Sequence, residues 1–269
     1  VTIDGFLSSQ FISGLLFAYA YAATEPVVIT VKDLNSRPYI DLTLDMLGRF
    51  GHSVRHHQYE TFYIETAAFT AGDNVEIAIE GDWSSAAALL VGAAICGKVT
   101  CNGISTDSLQ ADRALMDVLH QAGAGVVVAK DSVAVSSPAL LQPFLFDATH
   151  SPDLFPVLAI LAACCIGESR IAGLGRLVHK ESDRAQSIGA MLSQLQVPYA
   201  LDGDVLRVQG VKQFPTTTID AHNDHRIAMA AAIAALRSDG GITIAGADAV
   251  NKSYPAFYED LRSLGAVVN

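Results

Sequence analysis

One pattern, met four times along the chain, limits what it can become. Four passages open with short polar residues and run straight into an Ala/Leu/Ile helix: Ser8-Ser9-Gln10-Phe11, Asp82-Trp83-Ser84-Ser85, Ser151-Pro152-Asp153 and Asn223-Asp224-His225-Arg226. Ser, Asp and Asn side chains accept from the free N–H groups of a first helical turn, and Pro152 lacks the N–H that such a turn leaves idle. A β-rich stretch follows each helix: Val27 to Val31, Lys98 to Thr100, Arg170-Ile171 and Ile242 to Ile244. Amphipathic helices come next at Tyr39 to Phe50, Ala111 to Ala122 and Asp183 to Leu195. Each of these leads to a strand pair: Ser53 to Gln58 with Thr61 to Glu65, Gly125 to Lys130 with Ser132 to Ser136, and Tyr199 to Leu201 with Val205 to Gln209. The turns Lys130-Asp131 and Asp202-Gly203-Asp204 suit hairpins.

The unit reads helix-strand-helix-strand-strand-strand and recurs at roughly 70 residues, longer than solenoid periods. About three full units and a truncated last one fit the chain. The opening helices are apolar on nearly every side, as helices buried all round are. Sheets and amphipathic helices wrapped around a helical centre are therefore expected, the reverse of a barrel with strands inside. The domain crossing is expected near Glu80-Gly81-Asp82, giving domains 1–80 and 81–269.

Composition sets the outer bounds. A chain of 269 residues, 51% hydrophobic and 17% charged, can bury a large core as one large or two ordinary domains. The formal net charge of -11 argues against nucleic-acid partners, which call for a basic surface, yet leaves room for small anions where local cations dominate one cleft. Cys96, Cys101, Cys164 and Cys165 form no CxxC pair. They read as buried free thiols in a reducing compartment, and cytoplasmic residence is expected. The longest apolar run, Leu154 to Gly167, is shorter than the roughly 20 residues a spanning helix needs, so no membrane partner is expected. The chain begins at Val1 and enters a strand-like Val1-Thr2-Ile3 at once, from which the first part of a longer protein is expected to be absent.

Charge concentrates in two clusters, Lys180-Glu181-Ser182-Asp183-Arg184 and Asn223-Asp224-His225-Arg226. On a helix Lys180 and Arg184 share a face and can grip one anion, while Glu181 can be held ionised by Lys180 or pass a proton with it. Taken alone, most of these residues have plainer readings. Ser8 and Ser9 could be a cap pair, Ser36 the cap of the next helix and Tyr39 a half-buried core aromatic. Asp153 is an acid favoured at a helix start, Lys180 and Glu181 a solvated pair, and each arginine half of a salt bridge.

Six motifs in order nonetheless carry a resemblance: Ser8-Ser9-Gln10-Phe11, Ser36-Arg37-Pro38-Tyr39, Ser151-Pro152-Asp153, Lys180-Glu181-Ser182-Asp183-Arg184, Asn223-Asp224-His225-Arg226 and Lys252-Ser253-Tyr254-Pro255. Over its whole length the chain resembles the 5-enolpyruvylshikimate-3-phosphate (EPSP) synthase family, the 3-phosphoshikimate 1-carboxyvinyltransferases. The resemblance implies an α/β fold of repeated βαβαββ units in an inside-out α/β barrel, a two-domain enolpyruvyl transferase fold with the N-terminal domain incomplete. It places the last unit of the N-terminal domain in residues 1–80 and the C-terminal domain in 81–269.

The implied reaction moves the enolpyruvyl group of phosphoenolpyruvate to the 5-hydroxyl of shikimate 3-phosphate and releases phosphate, a step of aromatic amino-acid biosynthesis and a target of glyphosate-like inhibitors. No metal and no organic cofactor is implied, and a monomer is expected. The missing N-terminal part of the same protein would be the remaining partner, and the chain alone is expected to turn over little or not at all.

Carried over by resemblance, Ser8, Ser9, Gln10, Ser36, Tyr39, Asp153 and Lys180 bind shikimate 3-phosphate. Gln10 also bridges to phosphoenolpyruvate, which Arg184, Arg226 and Lys252 hold. Asp153, Lys180 and Glu181 are the catalytic set, with Asp153 as base toward the 5-hydroxyl and Glu181 as acid toward the methylene carbon. Asp183 and Asp224 are expected to orient neighbouring cations. Arg176 stands where the family often has an asparagine, and no role is carried to it. The rival readings are a UDP-N-acetylglucosamine enolpyruvyl transferase, which would not need the Ser8-Ser9-Gln10 site, and a non-catalytic ligand-binding fragment.

Overall fold

The computed structural model describes residues 1–6, 8–65, 76–177, 180 and 182–269. The chain forms two compact units, Val1–Ile79 with Leu109–Ala111, and Glu80–Ser108 with Asp112–Asn269.

The first unit is one complete repeat: β1 (Thr2–Asp4), α1 (Ser9–Ala22), β2 (Val27–Lys32), α2 (Arg37–Arg49), β3 (Val54–His57) and β4 (Thr61–Ile64). Its sheet runs β1-β2-β4-β3, with β1 parallel to β2 and the other pairs antiparallel. Two helical crossovers and a hairpin give that order directly, since a parallel pair needs a crossover and an antiparallel pair only a turn. Ile12, Leu16 and Ala20 of α1 meet Ile29, Val31, Phe62 and Ile64 of the sheet in a small core.

Here one expectation fails. The sequence of α1 suggests burial on every side, but only one stripe of it is buried, and Phe11, Phe17 and Tyr21 stand exposed, Tyr21 by 90%. A helix is covered all round only where sibling helices surround it, and this unit contributes one such helix.

The second unit has three such helices of its own, packed on one another. It contains α3 (Trp83–Cys96), β5 (Lys98–Asn102), α4 (Leu115–Gln121), β6 (Gly125–Ala129) and β7 (Ser132–Ser136). Next come β8 (Leu145–Asp147), α5 (Phe155–Ala163), β9 (Glu168–Ala172), α6 (Arg184–Gln194), β10 (Tyr199–Asp202) and β11 (Val205–Gln209). It ends with β12 (Thr217–Asp220), α7 (His225–Ala235), β13 (Ile242–Ala245) and α8 (Phe257–Ser263).

The sheet β8-β9-β11-β10 repeats the order and directions of the first unit's sheet. The sheet β5-β7-β6 keeps the antiparallel part, and β12 with β13 keeps the parallel part. Helices α3, α5 and α7 pack on one another. All nine residues of α5 are buried, as are ten of α3. That is the helical centre read from the sequence, with strands such as β11 turning alternate residues toward it.

Burial of the cysteines is narrower than expected. Cys164 and Cys165 are buried at the C-terminal end of α5, Cys96 is exposed at the end of α3, and Cys101 on β5 is half-buried. Among the described residues, no helix is long and apolar enough to cross a membrane.

Candidate active site

Asp153, Lys180, Arg184, Asp224 and Arg226 of the second unit gather where its central helices begin. A 3-10 turn, Pro152–Leu154, leads into α5 and presents Asp153. Asp224 caps α7, its carboxylate accepting from the Arg226 N–H at 2.9 Å. Arg184 is the first residue of α6, which Asp183 caps by accepting from the Gln186 N–H. Asp183 therefore serves its own helix, whereas Asp224 does orient a cation.

That cation is Arg184. Its side chain is 0% exposed. Nε donates to Asp224 Oδ2 at 2.7 Å and Nη2 reaches Oδ1 at 3.4 Å, the forked grip that suits a guanidinium on a carboxylate. Its Nη1 donates to Asp153 Oδ1 at 2.6 Å. The Ser182 hydroxyl adds a bond to Asp224 at 3.1 Å and is itself met by Ser187. Burial alone would raise the carboxyl of Asp224; the charge and hydrogen bonds of Arg184, with those of Arg226 N–H and Ser182, hold it below its ordinary value.

Asp153 is the common point. Besides Arg184, it faces Lys180 Nζ at 3.5 Å and Arg226 Nη2 at 3.8 Å, and its side chain keeps 23% of its surface open. Burial works to raise its carboxyl, but Arg184, Lys180 and Arg226 together outweigh burial and hold it well below the usual carboxylate range. With three cations on it, Asp153 is a weak base in this arrangement.

The spare valence lies with the cations. Arg226 is mostly buried, makes its one side-chain ion pair at 3.8 Å, and leaves Nε without a hydrogen-bond partner among the described residues. Lys252 is exposed and donates to the Asn223 carbonyl at 2.5 Å, which draws it to the start of α7. His222 and Asn223 hold that turn in the left-handed region, at φ 49° and 54°.

One reading from the sequence needs adjustment. Lys180 and Arg184 do not share a helix, because α6 begins only at Arg184; they meet through Asp153 instead. Glu181 lies outside the described residues. Arg176 ends a 3-10 turn, Leu174–Arg176, where burial lowers its guanidinium from the ordinary value.

In the first unit, Ser8 caps α1 by accepting from the Gln10 N–H at 3.2 Å; Ser9 is buried and Gln10 exposed. Ser36 precedes α2 in the left-handed region at φ 56° and makes no side-chain cap bond to it, so the plain capping reading does not apply. Tyr39 is half-buried, and its carbonyl accepts from Thr43, which also bonds Ser13 of α1. Asn35 and Arg37, the neighbours of Ser36, line a cavity of about 530 Å³ that also touches Tyr59 and Glu60. These residues and the Asp153 group belong to different units. Among the described residues, no group of three or more His, Cys, Asp or Glu could hold a metal ion.

Solved structures share this arrangement of repeats. An EPSP synthase from Acinetobacter baumannii superposes with a TM-score of 0.80 at 27% identity, over 98% of this chain and 62% of that one. An enolpyruvyl transferase from Streptomyces tendae superposes at 0.73 with 21% identity, a likeness of fold alone. Fold and repeat order thus define an enolpyruvyl transferase fold. A family model described as EPSP synthase (3-phosphoshikimate 1-carboxyvinyltransferase) matches residues 1–261, and the chain belongs to that family.

Two curated relatives named 3-phosphoshikimate 1-carboxyvinyltransferase give the same answer. The one from Clostridium acetobutylicum is 35% identical over 99% of this chain, and the one from Aeropyrum pernix 38% identical over 100% of it. The chain spans 61% of the length of each.

Proposed function

We propose that the protein carrying this chain transfers the enolpyruvyl group of phosphoenolpyruvate to the 5-hydroxyl of shikimate 3-phosphate, with release of phosphate. Family membership supports the reaction, and one observation ties it to this chain: three cations converge on the single carboxylate of Asp153. Such a cluster suits two phosphorylated acids whose charge must be neutralised by positioned groups.

In this reading Ser8, Ser9, Gln10, Ser36, Tyr39, Asp153 and Lys180 bind shikimate 3-phosphate, while Gln10, Arg226 and Lys252 take phosphoenolpyruvate. Arg184 acts mainly as the strut between Asp153 and Asp224, since both ends of its guanidinium already hold carboxylates. Its part in holding phosphoenolpyruvate then runs through the placement of Asp153.

The chemistry is addition followed by elimination. The 5-oxygen bonds to the middle carbon of phosphoenolpyruvate, its proton passing to Asp153, while the methylene carbon gains a proton from an acid, for which Glu181 is proposed. Loss of a methyl proton and of phosphate then restores the double bond. Asp153 can act as base only if the cations on it are diverted. Incoming phosphate and carboxylate groups would do that, by drawing Lys180 and Arg226 toward themselves and leaving Asp153 more basic.

The test is phosphate release from phosphoenolpyruvate that depends on shikimate 3-phosphate, measured on the natural protein that contains this chain. Turnover that needs both substrates is expected. Release with a UDP-linked amino sugar as acceptor in place of shikimate 3-phosphate, or no release with either, would sink the proposal.

A further inference from the structure

Behind the cation cluster lies a carboxyl that this chemistry leaves unused. Asp112 sits in a 3-10 turn, Ala111–Ala114, ahead of α4, and is 2% exposed. Its Oδ2 accepts from the hydroxyl of Ser84, in the first turn of α3. Its Oδ1 is buried and has no hydrogen-bond partner among the described residues. Asp224, just as buried, makes the contrast: a guanidinium fork, a hydroxyl and a backbone N–H all serve its oxygens.

An ionised carboxylate offers about four acceptor sites, and leaving one oxygen dry and unbonded is costly. The charged groups that face Asp112 come from three elements. Their charges act on it through space: Asp153 from the turn before α5, Arg226 from the first turn of α7, and Asp82 from the cap of α3. Arg113, next in the chain, is directed elsewhere and donates to the Thr106 carbonyl at 2.8 Å. Of the three facing groups, two are acids, and Arg226 is the cation.

We propose that Asp112 is a positioning residue that takes up a proton when an oxyanion binds at Arg226. An oxyanion on the Arg226 fork diverts the cation that tolerates Asp112 as an anion and sets a new negative charge nearby. A proton on the unbonded Oδ1 removes the conflict and spares the site one repulsive charge. Burial, reinforced by Asp153, already lifts this carboxyl to about 6, so the proton is within reach near neutral pH. The proposal rests on reading Arg226 as an oxyanion ligand. By linkage, the anion then binds more tightly to the protonated form, by about tenfold for each pKa unit that it adds to Asp112.

Sulfate is the probe, because it does not itself titrate near pH 6. Calorimetry on the full chain, in buffers of differing ionisation enthalpy, should find a fractional proton taken up with each sulfate. Affinity should fall as pH rises from 5.5 to 7.5. Asp112→Asn keeps the shape without the charge and should abolish the uptake and flatten the pH dependence, while Arg226→Gln should lose binding. Sulfate binding lost in Arg226→Gln but with proton uptake unchanged in Asp112→Asn overturns the role of Asp112 alone. Binding unaffected by Arg226→Gln, or no binding at all, overturns the reading of Arg226 and the proposal with it. Should Asp112→Asn not fold, carbon NMR of the wild-type Asp112 carboxyl decides: its titration midpoint must rise with sulfate, and an unmoved midpoint refutes the coupling.

Discussion

Replacing Arg184 by Met should reverse the way stability depends on pH. Methionine fills a similar volume without charge, so the change removes the cation from Asp224, whose side chain is 0% exposed, and one of three cations from Asp153. Breaking a buried pair by deleting one partner leaves an uncompensated charge and costs about 3–5 kcal/mol. In the wild type, Asp224 is held below its ordinary value, so its contribution is present above the unfolded value of about 3.9 and is lost as pH falls toward the folded value. In Arg184→Met only the bonds from the Arg226 N–H and the Ser182 hydroxyl still oppose burial, and the folded value rises. The penalty is then largest at neutral pH and shrinks as pH falls toward 4.

Trp83, the one tryptophan of the chain, is fully buried in α3 and reports on the second unit by itself. Urea unfolding followed by its fluorescence should show a midpoint lowered by more than about 1 M at pH 7.5, with a smaller gap at pH 4.5. The double variant Arg184→Met/Asp224→Asn should recover much of the loss. A deficit below about 1 kcal/mol, or a pH slope parallel to the wild type, would refute the claim that Arg184 neutralises a buried acid.

Three further outcomes are expected. Asp153→Asn should lower phosphate release by about 10²–10⁴-fold in the natural protein that contains this chain, the span typical of a general base, and a smaller loss in steady-state assays would assign the proton elsewhere. Gly210→Ala places a Cβ 1.7 Å from the Cys165 carbonyl oxygen, a backbone atom that cannot swing aside. A cost of about 3 kcal/mol, or roughly 6–12 °C in the Trp83 melting transition, should follow. A thiol reagent at pH 8 should label exposed Cys96 first and leave Cys164 and Cys165 untouched until unfolding, because burial lifts both of those thiols to about 12; early labelling of either would contradict the packing at the end of α5.

The hairpins were legible because β-branched runs flank short turns: β6 with β7 and β10 with β11 fall within a residue of where the pattern puts them. The central helices were legible for the same kind of reason, since α5 has no polar face to show to water. What escaped depends on neighbours distant in sequence. The exposure of Tyr21 on α1 cannot be read from α1, whose composition matches that of helices that do find siblings. Lys180 looked helical by spacing, but Asp183 offered a stronger local bond as a cap, and the helix starts after it. Asp112 carried no signal, because an acid in the first turn of an amphipathic helix is ordinary. Only its distance from any donor but Ser84 makes it unusual, and that is a fact of packing.

Arg184 works like a keystone. It rises from one repeat and presses against the openings of its own central helix and of the next, with water shut out on every side. Faults introduced far apart in the chain, near residue 153 or 224, would be felt at one address. Inactivating substitutions in this chain should therefore look scattered when written along the sequence and neighbourly when plotted in space.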